Sequence, residues 1–234
     1  MIESLKKDLA KHARPDKVDI YQNFFKTGPG QYGEGDVFIG VTVPNTRSVA
    51  KKYYAMKLSD VKKLMASPIH EERLAAILIL VHKYQKGTEQ EKKQVYDFYW
   101  QNAKGVNNWD LVDLSAHKIV GDYLLDKDKA ILYKLAKSSN LWERRIAIIA
   151  TFAFINKNRF DDSLKLAEIL LNDKHDLIHK AVGWMLREIG KKDQAVEEKF
   201  LDKHYKHMPR TMLRYSIERF EDKKRKHYMT KPVP

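Results

Sequence analysis

The chain has 234 residues and a formal net charge of +13 at pH 7, because 44 lysines and arginines face 31 aspartates and glutamates. It contains no cysteine, which excludes disulfides, zinc fingers, cysteine nucleophiles and iron–sulfur clusters. The longest unbroken apolar run, Leu74 to Val81, has 8 residues, whereas a membrane span needs ~20. The N-terminal residues also lack the apolar stretch of a secretion signal, so we expect a cytoplasmic protein with no membrane contact.

The excess positive charge lies in the two terminal regions. Residues 1–66 carry 12 basic and 7 acidic side chains, and residues 191–234 carry 13 and 7. Basic ends could bind a polyanion such as nucleic acid from both sides, because each neutralised phosphate releases counterions. Ordinary solubilising charge is the alternative. We predict one helical domain over residues 1–220 and a basic C-terminal tail over residues 221–234.

Five of the ten glycines fall within residues 28–40, GPGQYGEGDVFIG. This clustering predicts one long loop that leads into a helix at Thr46 or Arg47. The string GPGQYG has the GxGxxG spacing of a dinucleotide-binding turn, but that turn must follow a strand and open a helix. Here Pro29 separates the first two glycines and an extended segment follows, so we predict no nucleotide and no other cofactor.

From Val49 onward the pattern is helical, with apolar residues at intervals of three and four and no convincing strand. Short polar or proline-containing turns indicate where helices begin. They predict helices that begin near Ile69, at Trp109, at Leu141 and at Arg210. The corresponding turns are Ser67-Pro68, Asn107-Asn108, Ser138 to Asn140, and Met208-Pro209.

Three of the helix beginnings align with one another: HEERLAAI, WERRIAII and LIHKAVGW. Further steps of about 35 residues reach two more helix beginnings, and helix pairs that repeat at such a period are typical of an α-solenoid. We therefore predict an all-α fold with a curved concave surface; a compact all-α bundle is the alternative. The aligned positions could form one stripe that contacts phosphates: Arg73, Trp109, Arg145, Lys180 and Arg214.

Two histidine pairs have helical spacing that could seat a metal, His175 with His179 and His204 with His207. Neither pair has an obvious third ligand in the sequence. Surface histidines on a basic protein are the simpler explanation, and we predict no metal site.

Two aspartates in NNWDLVDLSAHKIVGDYL (107–124) have different explanations. Asp110 lies in the first turn of a helix capped by Asn108, where a carboxylate complements the helix dipole. Asp113 lies one turn beyond Trp109 on the same face, at the margin of the apolar stripe. A half-buried carboxylate beside an indole favours a cation. An ordinary surface aspartate near a core tryptophan is the alternative.

Equivalent helices farther along the chain carry Trp142 with Arg145 and Trp184 with Arg187. Trp184 follows the small residues Ala181 and Gly183, which leave space for a close approach on that side of the helix. A cleft that combined indoles, one carboxylate and guanidinium groups would suit a cationic sugar-phosphate ligand.

Five segments of the chain, in their order and spacing, resemble the DNA alkylation repair family of AlkD-like DNA glycosylases. They are YGEGDVFIGVTVPNTR (32–47), NNWDLVD, LWERRIAII, VGWMLREIGKK and MPRTMLRYSIERF (208–220). The resemblance implies a HEAT-like helical-repeat fold whose basic concave face holds duplex DNA. It also implies removal of cationic N-alkylated purines such as 3-methyladenine and 7-methylguanine, by a family thought to work without a base pocket. The resemblance assigns the catalytic carboxylate to Asp113, the cleft tryptophans to Trp109 and Trp184, the cleft arginine to Arg145 and a phosphate contact to Arg187.

We therefore predict a monomeric, monofunctional alkylpurine DNA glycosylase that acts in base excision repair. The predicted DNA-binding residues also include Arg47, Lys180, Arg214 and Arg73. The alternative is a non-catalytic helical-repeat protein that binds DNA or an acidic protein. A metal-dependent hydrolase that uses both aspartates of 107–124 would need more ligands than this segment offers.

Overall fold

The computed structural model describes residues 1–230, and every regular element within them is a helix. Outside the helices, an isolated parallel bridge joins Val37 to Ile69 in this part of the chain. The all-α prediction is confirmed. The chain divides into two compact units, one formed by Met1–Ile119 and one that begins at Val120.

Helices of the first unit are joined by short turns, except that a longer segment joins the second helix to the third. This segment contains residues 28–40, which are called the glycine-rich loop below. The helices are α1 (Ile2–Ala10), α2 (Pro15–Phe24), α3 (Val43–Lys51), α4 (Leu58–Met65), α5 (His70–Lys86), α6 (Glu89–Gln101) and α7 (Trp109–Ala116). A 3-10 turn, Ala103–Gly105, precedes α7, and a π-helical turn, His117–Gly121, follows it.

Helices of the second unit include several short ones around one long helix. They are α8 (Asp122–Leu124), α9 (Ala130–Leu135), α10 (Leu141–Ala150), α11 (Phe152–Ile155), α12 (Asp161–Ile169), α13 (Asp176–Lys192), α14 (Gln194–His204), α15 (Arg210–Ser216) and α16 (Asp222–Met229). A 3-10 turn, Ile217–Arg219, follows α15.

Each unit is built around one 17-residue helix. In the first unit α5 packs against α1, α3, α4, α6 and α7, and in the second α13 packs against α10, α11, α12, α14 and α15. The middle of α5 is apolar on every face, and Ala75, Ile77 and Ile79 are fully buried, as expected for a helix surrounded by others. Burial of this apolar surface is the main stabilising contribution in both units.

The predicted helix beginnings agree with the structure. Asn108 caps α7 and Asn140 caps α10 through their side-chain oxygens, and α15 begins at Arg210. The helix predicted at Thr46 or Arg47 begins earlier, at Val43. Thr42 provides the reason, because its hydroxyl oxygen accepts a hydrogen bond from the backbone N–H of Asn45 and so caps the helix three residues upstream.

Gly183 allows α13 and α15 to pack closely. A Cβ atom at this position would lie 2.4 Å from the carbonyl oxygen of Met212 and 2.6 Å from the Cβ of Tyr215. No other residue type fits such a close approach without moving one of the helices.

The predicted basic tail, residues 221–234, includes α16. The buried Tyr228 of α16 donates a hydrogen bond to Asp202 of α14 at 2.7 Å. The last four residues of the predicted tail, 231–234, lie outside the described residues. None of the helices in the described part of the chain has the length and apolar character needed to cross a bilayer.

Candidate functional site

The N-terminus of α7 is fixed by Asn108, which is fully buried. Its Oδ1 accepts a hydrogen bond from the backbone N–H of Trp109 at 2.8 Å, and its Nδ2 donates to Asp36 at 3.0 Å. This cap satisfies a helix-terminal N–H group and anchors the helix to the glycine-rich loop. The orientations of Trp109 and Asp113 on α7 are therefore set by a buried side chain.

Asp113 and Trp109 line the same cavity, as their spacing on one helix face predicts. Both side chains are half-buried. The cavity has a volume of about 370 Å³ and lies within the first unit. Its walls come from α2, the glycine-rich loop, α3, α5 and α7. The lining residues are Tyr21, Phe24, Phe25, Phe38, Val41, Val43, His70, Glu71, Leu74, Trp109, Asp110, Asp113 and Leu114.

Aromatic rings form one wall of this cavity. The rings of Trp109 and Phe25 are stacked with centroids 5.1 Å apart and planes 8° apart. Phe25 stacks on Phe38 at 4.9 Å, and Phe38 stacks on the His70 imidazole at 4.6 Å. Phe24 approaches Trp109 edge-on and remains 62% exposed, so it forms the rim.

This aromatic wall was not predicted from the sequence. Tyr21, Phe24 and Phe25 have the i, i+3, i+4 spacing of one helix face, and they directly precede the glycine-rich loop. That spacing is a usable signal for α2. Phe38 has no such signal, because its place in the wall depends on the course of the loop.

A buried network of ionisable side chains lies beside the cavity, centred on His70. Its Nε2 lies 2.8 Å from Asp110 and its Nδ1 lies 3.1 Å from Asp36, whose other oxygen accepts from Arg73. Desolvation by burial acts to lower the pKa of His70, but the two carboxylates outweigh it and raise the pKa to about 9. Burial alone would raise the pKa of Asp36. The contacts of Asp36 with His70, Arg73 and Asn108 outweigh burial and lower its pKa below the ordinary value.

Glu71 holds the loop that forms another wall. Its carboxylate accepts hydrogen bonds from the backbone N–H groups of Ile39, Gly40 and Val41 at 2.9–3.2 Å, although only 1% of the residue is exposed. The pKa of the Tyr21 hydroxyl is raised, first by desolvation and then by the charge of Glu71. The Glu71 carboxylate, held in place by these hydrogen bonds, thus makes the electrostatic potential in the cavity more negative.

In the second unit, Trp184 is half-buried on α13. Its indole N–H donates to Glu188 at 3.0 Å, and its ring lies 5.8 Å from that of Phe152. The predicted phosphate-contacting Arg187 forms an ion pair with Glu218. Contact between Arg187 and a phosphate would therefore compete with a carboxylate of the same unit.

Arg145 is 5% exposed on α10, and its guanidinium donates a hydrogen bond to the backbone carbonyl of Leu177. This bond joins α10 to the beginning of α13. The predicted contribution of Arg145 to catalysis stays a prediction.

Arg73, a predicted DNA-binding residue, is buried and paired in the structure, which disfavours contact with a phosphate. Only 3% of the residue is exposed. Its guanidinium donates to Asp36 at 2.5 Å and to the backbone carbonyl of Ser67 at 2.8 Å. Contact with a phosphate would require breaking this buried ion pair, which is strongly unfavourable. The alignment that singled out Arg73 locates a helix beginning but does not indicate which way its side chain points.

The other predicted DNA-binding residues are accessible. Arg214 is exposed on α15, and Lys180 is partly exposed in an ion pair with Asp176. Arg47 is half-buried on α3. The pKa of Lys118, just after α7, is lowered first by burial and then by the charge of Arg47. Lys118 was not predicted from the sequence, because Arg47 lies 71 residues before it in the chain.

No group of three or more potential metal ligands occurs among residues 1–230. The histidines considered as ligands have other contacts. His175 Nδ1 accepts the backbone N–H of Leu177 and so caps α13, and His204 lies 3.0 Å from Glu168.

Comparison with known proteins identifies the family. The sequence model of the family described as DNA alkylation repair enzyme matches residues 5–220. A search of curated proteins finds no match.

Three solved structures share the fold. A predicted DNA alkylation repair enzyme from Enterococcus faecalis has a TM-score of 0.69 at 17% identity, over 90% of this chain and 98% of that one. The smu.31 protein from Streptococcus mutans UA159 has a TM-score of 0.55 at 19% identity, over 77% of this chain and 93% of that one. AlkD2 from Streptococcus mutans has a TM-score of 0.53 at 18% identity, over 94% of this chain and 97% of that one. These similarities confirm the predicted helical-repeat fold class, and with a family match over most of its length the chain belongs to the DNA alkylation repair enzyme family.

Proposed function

We propose that this protein is a monofunctional DNA glycosylase that removes cationic alkylated purines, such as 3-methyladenine and 7-methylguanine, from duplex DNA. The observation that carries the proposal is the position of Asp113, a half-buried carboxylate in a cavity wall beside the indole of Trp109. The family supplies the context of DNA alkylation repair.

The proposed reaction needs little catalytic machinery. Alkylation of a purine ring nitrogen makes the base cationic. When the bond between C1′ and the base breaks, its electron pair returns to the base, which leaves as a neutral molecule without a general acid. The positive charge passes to the deoxyribose as an oxocarbenium ion. Asp113 stabilises this ion and orients the water that adds to C1′, and the proton of that water is released.

The tryptophans and arginines have supporting roles in this proposal. Indole faces attract developing positive charge, so Trp109, which lines the same cavity as Asp113, is proposed to stabilise the sugar. Trp184, in the second unit, is proposed to contact the DNA backbone. Phosphates are proposed to interact with Arg187, Arg47, Lys180 and Arg214, which are all at least partly exposed. The net charge of +13 favours the duplex through counterion release and makes its binding depend on salt.

The test is release of purines from methylated genomic DNA, followed by chromatography of the free bases. We expect wild type to release 7-methylguanine and the Asp113→Asn variant to be slower by roughly two orders of magnitude or more. Duplex affinity should change by no more than a few-fold, because the substituted group acts on the sugar at the transition state. Unaltered release by this variant would remove Asp113 from the mechanism.

Matched controls separate the proposal from its alternatives. Asp122→Asn changes an exposed aspartate just after the same helical segment and should leave release unchanged. A non-catalytic DNA-binding protein would bind the duplex without releasing any base. A metal-dependent hydrolase would lose activity in EDTA, whereas the proposed glycosylase keeps it. The DNA strand should remain intact after release, as expected for a monofunctional enzyme.

A further inference from the structure

The C-terminal turn of α2 exposes apolar surface at the rim of the cavity that contains Asp113. Ile20 and Phe24 lie one helical turn apart on the same face, and each is 62% exposed. The Phe24 ring meets the Trp109 ring edge-on at a centroid distance of 5.7 Å, and both side chains line the cavity with Asp113. Large exposed apolar side chains beside a candidate site indicate a contact surface.

Lys26, two residues beyond Phe24, has a backbone conformation that disfavours lysine. Its φ of 55° lies in the left-handed region, where glycine is the usual residue at a helix end because it has no Cβ atom. The helix end is completed by the Thr27 N–H, which donates to the Gln22 carbonyl at 3.1 Å. The Lys26 side chain is exposed. A strained lysine at a position that suits glycine indicates that its charge has a function outside the folding of α2.

We propose that the turn formed by residues 24–26 binds duplex DNA in the minor groove beside the damaged nucleotide. Phe24 contacts the edge of the neighbouring base pair, and Lys26 binds a phosphate at the border of the groove. The inference rests on the proposed glycosylase function and adds two positioning residues to it. This contact does not require the damaged base to leave its stack.

The geometry of DNA connects this turn with Asp113. The glycosidic bonds of a base pair lie on its minor-groove side, so a carboxylate that acts on C1′ faces this groove. The minor groove is about 6 Å wide, which excludes a helix about 10–12 Å in diameter but admits a single side chain from a helix end. Apolar side chains, phenylalanine among them, enter the groove in other DNA-binding proteins. Phe24, at the rim of the cavity that contains Asp113, is placed to do the same.

Charge complementarity selects DNA over another apolar partner. Phosphates border the minor groove on both sides, so one turn can place an apolar ring in the groove and a cation at its border. Phe24 and Lys26 provide this combination two residues apart. A second copy of this chain would bring its own net charge of +13 to the same surface and would be repelled.

The first experiment measures the affinity of the whole protein for an undamaged duplex, so it does not depend on catalysis. We expect Phe24→Ala and Lys26→Gly each to weaken binding by roughly three- to tenfold. Lys26→Arg should retain wild-type affinity because the charge is kept. Lys26→Gly should not lower the melting temperature, since glycine adopts the left-handed conformation without strain. Weaker binding by an equally stable protein would not follow from a purely structural role of this turn.

Matched controls come from the second unit. Asn158 also has a positive φ, 56°, and is exposed, so Asn158→Gly makes the same kind of backbone change away from α2. Ile169 is 37% exposed, and Ile169→Ala removes apolar surface of a similar kind. Both variants should bind the duplex as wild type does. If Phe24→Ala and Lys26→Gly bind as tightly as these controls, the proposed contact is wrong.

The second experiment identifies the groove. Inosine in place of guanine removes the amino group that a G·C pair presents in the minor groove and leaves the major-groove edge unchanged. Duplexes with one 7-methylguanine are compared with guanine or inosine on both sides of it, at limiting protein. We expect wild type to release 7-methylguanine faster from the inosine duplex, because the groove then admits Phe24 more easily, and Phe24→Ala to lose this preference. An equal preference in both proteins, or none in either, would place the ring outside the groove.

Release kinetics separate this proposal from the proposed catalysis. Phe24→Ala should slow release at limiting protein but change the rate at saturating protein by less than about threefold, because Asp113 is retained. Asp113→Asn should lower both rates. If wild type releases no purine, the glycosylase proposal fails, while the undamaged duplex still tests the contact of α2. A change in the oligomeric state of Phe24→Ala without DNA, measured by sedimentation with duplex affinity unchanged, would make this face an interface between copies and overturn the proposal.

Discussion

Asp110 Oδ2 lies 2.8 Å from His70 Nε2, and this contact gives the two aspartates of α7 different roles. The other ring nitrogen of His70 lies 3.1 Å from Asp36. Two carboxylates can both be satisfied only if both nitrogens carry protons, so His70 is an imidazolium in this network. Asp110 therefore joins α7 to α5, and Asp113 is the aspartate of α7 proposed to act on substrate.

We expect the His70 network to make stability depend on pH above neutrality. The pKa of His70 is raised from 6.5 to about 9 in the folded protein. The resulting stabilisation is complete below pH 6.5 and is lost as the pH rises through about 9, because the unfolded chain has already released this proton.

Urea unfolding across this range, for wild type and Asp110→Asn, measures the effect. The stability advantage of wild type should be a few kcal/mol near pH 6 and should shrink towards pH 10. A constant difference between the two proteins at all pH values would show that His70 is not charged through Asp110.

Much of α7 could be predicted from the sequence, because its determinants are local. Asn108 is a recognisable cap, and the shared face of Trp109 and Asp113 follows from helical periodicity. The His70 network could not be predicted in the same way. His70 meets Asp36 and Asp110 across 34 and 40 residues of sequence, and no local pattern encodes contacts at that separation.

The course of the glycine-rich loop could not be predicted from the sequence either. Its glycines predict a loop but not its course, which depends on hydrogen bonds from residues 39–41 to Glu71 on α5. For this reason, Phe38 could not be assigned to the cavity wall from the sequence.

Replacement of Glu71 by glutamine should loosen this loop. The amide retains one acceptor oxygen, but its NH₂ group faces backbone donors and the charge assistance is lost. We expect Glu71→Gln to lower the free energy of unfolding by about 1–3 kcal/mol. It should also speed hydrogen exchange at the amides of residues 39–41.

Glu3→Gln, at an exposed position of α1, is the matched control and should change neither quantity. Unchanged exchange at residues 39–41 in Glu71→Gln would mean that other contacts hold the loop.

Replacement of Gly183 by alanine should separate α13 from α15. The added Cβ would lie within 2.4 Å of the Met212 carbonyl oxygen, which belongs to the backbone and cannot rotate away. We expect a loss of about 1–3 kcal/mol, the usual cost of overpacking a core. Thermal unfolding measures the effect.

Gly28→Ala is the control for this substitution. Its Cβ would meet only the flexible side chain of Gln31, at 3.0 Å. If the two variants had equal melting temperatures, close packing at Gly183 would not be a determinant of stability. Because Trp184 follows Gly183, the rate of base release by Gly183→Ala also measures how far catalysis depends on the position of that indole.

Lys118 and Arg47 should contribute together to duplex binding. The pKa of Lys118 is lowered first by burial and then by the charge of Arg47, and like charges this close create a local positive potential that an anion would relieve. We expect Lys118→Ala to weaken binding to any duplex and to reduce the slope of log K against log salt by about 1. Lys93→Ala, at an exposed lysine paired with Asp97 on α6, should leave the slope unchanged.

The pH dependence gives a second, independent readout of Lys118. Because its pKa is below that of an ordinary lysine, wild-type affinity should begin to fall at a lower pH than the affinity of a site with ordinary lysines. Lys118→Ala should lack this early decline, since the titrating group is gone, while Lys93→Ala should retain it. An identical pH profile and salt slope in Lys118→Ala and wild type would place the phosphate contacts of the first unit elsewhere.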